Sequence, residues 1–185
     1  MRRLWSVLAA ALLAAACGSP AQTVASPSAV RTTSAPTAAP TQPTSVTVKA
    51  DCLPANEIPP ITNAEATGTG SFTGTFTLTR DTAGKITAAT LKYDFSIKGF
   101  PATTQIAASH IHEGDAKTNG PVKVNSGITK DNAPPSGGLA TFTKPDVSVD
   151  AAMADSIITN PAGWYFNVHS AINAGGFCRG QLQKG

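Results

Sequence analysis

The imidazole chemistry available to this 185-residue chain rests on three histidines. They fall in two short segments, Ser109-His110-Ile111-His112-Glu113-Gly114-Asp115 and Trp164-Tyr165-Phe166-Asn167-Val168-His169-Ser170. Neutral imidazole suits copper and zinc, and three such donors leave one coordination position open. Both segments read as β-strands, in which successive side chains point to opposite faces. His110 and His112 then share a face while Ile111 takes the other. In the second segment Phe166 and Val168 share one face, and Tyr165, Asn167 and His169 share the other. If the two strands are neighbours, three rings meet on one surface as a copper or zinc site. Glu113, Asp115 and Asn167 are candidates for the hydrogen bonds that fix the ring tautomers around such a site. The competing reading makes the histidines structural, hydrogen-bonded to loop backbones in one network with Asn167 and Arg179. The test between them is geometric. Metal–nitrogen bonds of about 2.0–2.1 Å require ring nitrogens that converge to about 3–4 Å.

Other reactive groupings are weaker. Ser109 and Ser170 each adjoin a histidine, but neighbours along a strand face opposite ways, and the chain has no Gly-x-Ser-x-Gly elbow. Glu113 and Asp115 read as a solvated turn, and Trp164 and Tyr165 as core and rim. No catalytic residue is assigned.

The elements that must hold the histidines lie beyond residue 50. Before them, Arg2 and Arg3 precede 13 predominantly apolar residues, Leu4 to Ala16, too few for a bilayer span of about 20. Small residues lead into Cys17, the layout of a secretory signal. Ala14-Ala15-Ala16-Cys17 resembles the lipobox of bacterial lipoproteins, with Leu13 one place further from the cysteine than that family prefers. The resemblance implies a signal peptide over 1–16 and a lipidated Cys17, hence an exported lipoprotein held at the membrane of the bacterial cell envelope. The alternative is ordinary cleavage after an Ala-x-Ala site. Residues 17–50 read as a tether. Its Thr/Ser/Pro/Ala tract carries one charge, Arg31, as far as Val48, so it has too little apolar surface to offset the entropy of ordering.

Cys52 and Cys178 remain, one at each end of the folded part. Export makes a disulfide between them the expected state, against two free thiols or a metal role. Without Arg2 and Arg3 the chain has 12 basic residues (14 less 2) against 11 acidic ones. That balance gives no electrostatic footprint for nucleic acid.

From Asn63 onward the pattern has period two. Gly70 to Asp81 and Lys85 to Phe100 alternate around a short turn, the second run placing Leu91, Tyr93, Phe95 and Ile97 on one face. This predicts an antiparallel hairpin. Further strands are predicted near 104–112, 121–128, 138–144, 163–170 and 176–183, with Asn119-Gly120 and Ser136-Gly137-Gly138 as turns. One helix is predicted over residues 150–160, with Asp150 as N-cap and Pro161 past its end. The fold class is therefore all-β, an antiparallel sandwich or barrel with one short helix.

The chain also resembles a known family. Asn56 to Pro60 (NEIPP), Ala108 to Val124 (ASHIHEGDAKTNGPVKV) and Trp164 to Leu182 (WYFNVHSAINAGGFCRGQL) are similar to the CHRD domain, named from chordin and widespread in bacterial secreted proteins. The likeness runs from about Leu53 to Leu182, which makes 51–185 one CHRD domain. It departs from the family at Ala174, where Pro is common, and at Phe177-Cys178, where Glu-Ile is common. The resemblance implies a Greek-key or immunoglobulin-like sandwich and no defined activity. A fainter likeness links His110 to Gly120 with the copper-ligand strand of copper/zinc superoxide dismutases. Those enzymes need more histidines than this chain has. The expectation is a monomeric, non-enzymatic binding module for copper, zinc or an extracellular protein partner, and the competing class is a dismutase-like copper enzyme.

Overall fold

A computed structural model describes residues 44–134 and 139–185. The expected signal peptide, Cys17, most of the tether and the Ser136-Gly137-Gly138 turn lie outside the described residues. Two antiparallel sheets face each other. The first has five strands in the order β6-β3-β2-β1-β9: β1 is Ser45–Cys52, β2 Thr69–Arg80, β3 Ile86–Lys98, β6 Leu139–Val149 and β9 Gln183–Lys184. The second has the order β5-β4-β7-β8: β4 is Ile106–Glu113, β5 Val122–Asn125, β7 Trp164–Ser170 and β8 Cys178–Gln181. The all-β antiparallel sandwich read from the alternation is the fold observed.

Each element follows from its residues. In β2 and β3 the alternation sends Phe72, Phe76, Leu78, Leu91, Tyr93, Phe95 and Ile97 inward. The turn between them is closed by Asp81, whose carboxylate accepts from the backbone of Ala83 and Lys85, and by Gly84 at φ 84°. The one α-helix among the described residues, α1 (Ala151–Thr159), starts where expected: the Asp150 carboxylate accepts from the amides of Ala152 and Met153, two of the donors a helix start leaves unpaired.

Three boundaries differ from the sequence pattern, each for a local reason. Ser45–Cys52 is strand, so residues 45–50, counted with the tether on composition, belong to the sheet and bury Val48 and Ala50. Thr, Ser and Val suit an alternating strand as well as a linker. Strand β6 runs past Pro145 to Val149. It is an edge strand, and its pairing with β3 slips between Leu91 and Tyr93, around Pro145 and around Asp146 at φ 55°. A bulge on an edge is where a strand tolerates proline. The last predicted strand is two, because the chain leaves one sheet for the other at Leu182, whose amide donates to the Trp164 carbonyl.

Aromatic rings fill the space between the sheets. Phe72 stacks on Phe166 at 4.8 Å and meets Tyr93 edge-on at 4.8 Å, while Phe95 lies 5.6 Å from Phe166. One buried polar contact crosses the same gap: Tyr93 Oη and Ser109 Oγ are 2.7 Å apart, and Ser109 Oγ donates to the Asn167 carbonyl. Burial in this apolar setting raises the Tyr93 pKa, so the phenol stays protonated.

At one side the sandwich is closed covalently. Cys52 at the end of β1 is bonded to Cys178 at the start of β8, with Cα atoms 5.2 Å apart. Beside it Leu53 and Arg179 exchange backbone hydrogen bonds of 3.0 and 3.3 Å. The crosslink therefore joins the two sheets, rather than neighbours within one. Replacing Cys52 and Cys178 together by alanine is expected to lower stability by up to about 5 kcal/mol, the chain-entropy figure for so long a loop. Denaturant unfolding checks this, and an unchanged midpoint would show that the bond constrains nothing.

Candidate metal centre

The three histidines stand on the outward face of the four-stranded sheet, on its two central strands. Strands β4 and β7 pair in a register that sets His110 opposite Asn167, His112 opposite Tyr165 and Ala108 opposite His169. The small side chain of Ala108 leaves His169 free to lean along the strand toward His110, a diagonal neighbour within reach of a long side chain. The ring centroids form a triangle with sides of 4.8 Å (His110–His169), 5.6 Å (His110–His112) and 5.6 Å (His112–His169). One nitrogen from each ring lies within 4.8 Å of the other two. The closest pair, His110 Nδ1 and His169 Nε2, is 3.0 Å apart. The set thus meets the 3–4 Å spacing at its closest pair and exceeds it, at up to 4.8 Å, at its widest.

Backbone carbonyls decide which nitrogens are free. His112 Nδ1 donates to the Gly120 carbonyl at 3.0 Å, and His169 Nδ1 donates to the Ala174 carbonyl at 3.0 Å. A carbonyl can only accept, so both rings carry their proton on Nδ1 and present a bare Nε2. His112 Nε2 is buried with no hydrogen-bond partner in the protein. His169 Nε2 faces His110 Nδ1. The His112 lone pair is thus unshared, whereas that of His169 accepts from the Nδ1–H of His110.

Electrostatics keep the rings neutral. Burial, then the neighbouring His169 and His112, push the His110 pKa down to about 4. Burial also lowers His112, against its bond to Gly120 and with the help of Arg179. Burial lowers His169 too, against its bond to Ala174. Neutral imidazole is the ligating form. His112 and His169 are 6% and 8% exposed while His110 is only partly buried, so access is from the His110 side.

Two loops supply those carbonyls, and buried polar side chains hold both loops. The first, residues 114–121, wraps around Arg179, whose guanidinium donates to Asn119 Oδ1 at 2.9 Å and to the carbonyls of Asp115 (2.6 Å) and Thr118 (2.8 Å). Arg179 also lies 3.5 Å over the Tyr165 ring, which stacks on His112 at 4.8 Å. Gly120 packs against the Glu113 carbonyl so closely that no side chain fits there. The second loop, residues 171–177, is tied by Glu65, which accepts from Ser170 Oγ and Asn173 Nδ2. Its Gly176, at φ 126°, sits where a Cβ would meet the Asn167 carboxamide at 2.5 Å and Glu57 Oε1 at 2.7 Å.

The carboxylates proposed to orient the rings do other work. Glu113 is at the surface, 3.0 Å from Lys123 Nζ. The Asp115 carboxylate caps its own turn through Lys117 N and Thr118 Oγ1. That turn also holds the Asp115 pKa below its ordinary value, chiefly through the Lys117 amide. Asn167 does lie buried on the histidine face, yet it donates to Glu57 Oε2 at 3.5 Å, not to a ring. The ring partners are the carbonyls of Gly120 and Ala174, and no side-chain pattern marks those. The alternation and motif patterns do not mark Glu57 as part of this network. Its signal is a lone acid in an otherwise uncharged stretch, Asn56-Glu57-Ile58-Pro59-Pro60.

A family model described as the CHRD domain matches residues 48–182. No curated protein and no solved structure matches the chain.

Glu57 gives a pH test of the network around the centre. Burial raises its pKa from 4.5 to about 7, with Arg179 and the Asn167 hydrogen bond acting in the opposite sense. The folded state thus holds a proton that the unfolded state has released. Stability falls as pH rises from about 4.5 to 7, and the loss is complete above 7. Glu57→Gln, whose amide can pair with Asn167 at any pH, is expected to exceed the wild type in stability by on the order of 2 kcal/mol at pH 8. The gain should vanish below pH 5. Thermal unfolding at the two pH values reads this directly; equal gains at both would remove Glu57 titration as the cause.

Proposed function

The chain belongs to the CHRD domain family, and from that premise we propose that it is a non-enzymatic binding module holding one copper or zinc ion on His110, His112 and His169. The observation that carries the proposal is the buried, unpartnered Nε2 of His112, turned toward two further imidazoles by the carbonyl on its Nδ1. A buried polar atom without a partner costs free energy, about 1–3 kcal/mol. A fold that leaves one beside two other ring nitrogens is explained most simply by an ion that they share. The metal group consists of these three histidines, and the chain has no fourth histidine for a second, bridged ion. This favours a mononuclear holder over a dismutase-like copper enzyme.

The module is further proposed to be displayed at the bacterial cell membrane, through lipid on Cys17 and the tether that follows it. Support for this comes from the sequence of the first fifty residues.

Metal analysis of protein purified without a histidine tag is expected to give one copper or zinc per chain after reconstitution. His110→Ala and His169→Ala should each weaken binding by roughly 100-fold, a share of the affinity typical of nitrogen- and sulfur-ligated zinc. Substoichiometric metal, or binding unaltered in the double variant, would refute the site. A superoxide assay on the loaded protein is expected to show no turnover. Cys17→Ser is expected to move the protein from the membrane fraction to the soluble one on fractionation of cells; persistence in the membrane fraction would exclude the lipid anchor.

A further inference from the structure

Building on the three-histidine reading, we infer that the centre is set for a monovalent copper ion in preference to a zinc dication, and that the buried Arg179 guanidinium sets that preference. The donors are all neutral. No carboxylate or thiolate belongs to the metal group, Glu113 is paired with Lys123 at the surface, and the Asp115 carboxylate is spent on its own turn. The three-histidine group therefore supplies no anionic ligand to a bound ion.

The protein around it supplies a positive charge instead. Arg179 is 1% exposed, and the partners of its guanidinium nitrogens are a carboxamide and two carbonyls, all neutral. Among the described residues no carboxylate comes within ion-pair distance of it. The guanidinium, the Tyr165 ring and the His112 ring lie in one stack with spacings of 3.5 and 4.8 Å. Those spacings bound the separation of the charge from the His112 ring. Glu57 and Asp115 are the carboxyls that feel Arg179; Asp115 is exposed, where solvent screens it, and Glu57, with a pKa near 7, is only partly ionised at neutral pH.

A zinc dication among three neutral nitrogens, with water in its fourth position, keeps its full double charge beside a buried cation. Monovalent copper carries half the charge and is stable with three ligands. With an effective dielectric near 20 and a separation on the order of 10 Å, one unit charge alters the ratio of monovalent to divalent binding by roughly tenfold.

The test compares binding constants for the two ions in the full chain. Copper(I) is measured anaerobically, under ascorbate, against a chromophoric cuprous chelator, and zinc against a chromophoric zinc chelator. The wild type is expected to favour copper(I). Arg179→Met should narrow that preference by roughly tenfold, Arg179→Lys should retain it, and Glu57→Gln should widen it. Damage to the fold alone would weaken both ions together and leave the ratio in place. Zinc bound at least as tightly as copper(I), or a ratio unmoved in both Arg179→Met and Glu57→Gln, overturns the inference while leaving a metal site standing. Failure of either ion to bind stoichiometrically overturns the three-histidine reading itself. If Arg179→Met does not fold, the wild-type ratio and Glu57→Gln decide.

Discussion

The antiparallel register of β4 against β7 is the constraint on which the rest of the centre depends. With Ala108 facing His169 and Asn167 facing His110, the three imidazoles fall on one outward face, and Ser109, Ile111, Phe166 and Val168 fall on the other, inside the sandwich. Because a strand has period two, a slip of one residue would invert both sets at once. The apolar alternation that builds the core thereby fixes where the rings stand. Burying Ile111 and Phe166 also places His110 and His112 beside His169.

Above that face, the histidines are controlled through backbone. The outer side of a sandwich sheet is ordinarily solvated, yet every residue of β7 is buried. The cover is two loops whose shapes depend on buried polar groups, Arg179 for one and Glu65 for the other. Such groups are costly to bury unless their bonds are made. Arg179 satisfies its charge with carbonyls of the loop it holds, so the loop and the arginine stabilise each other. The carbonyls of Gly120 and Ala174 are thereby set against His112 and His169.

Much of this is legible in the sequence because one rule, alternation, governs both core and site. The faces of β2, β3 and β7, the cap at Asp150 and the cysteine pair follow from spacing and residue type; the three histidines share a face by the same rule, but only the pairing of β4 with β7 brings them together. What escapes is whatever has no side-chain signature. Carbonyl partners cannot be read from residue identity, so Glu113 and Asp115 are natural candidates where Gly120 and Ala174 do the work. The exposure of those carboxylates depends on which way a loop leaves β4, a tertiary outcome. The passage of the last strand from one sheet to the other at Leu182 is equally hidden, since an uninterrupted alternating run looks like one strand. Glu57 is missed because the cover that buries it is built from segments more than a hundred residues away in sequence.

Cys178 and Arg179 are consecutive, and this puts the crosslink and the ligand geometry in mechanical series. From the sulfur bridge the attachments run through the peptide bond to Arg179, through its guanidinium to Asp115, Thr118 and Asn119, along the backbone to Gly120, and by one hydrogen bond to the His112 ring. Each link is covalent or hydrogen-bonded, and Leu53 pins the arginine backbone to the opposite sheet. The rigidity of one imidazole is thus borrowed from a bond on the far side of the arginine. Opening Cys52–Cys178 would remove the covalent link at the head of that series and leave the backbone bonds between Leu53 and Arg179 to hold it.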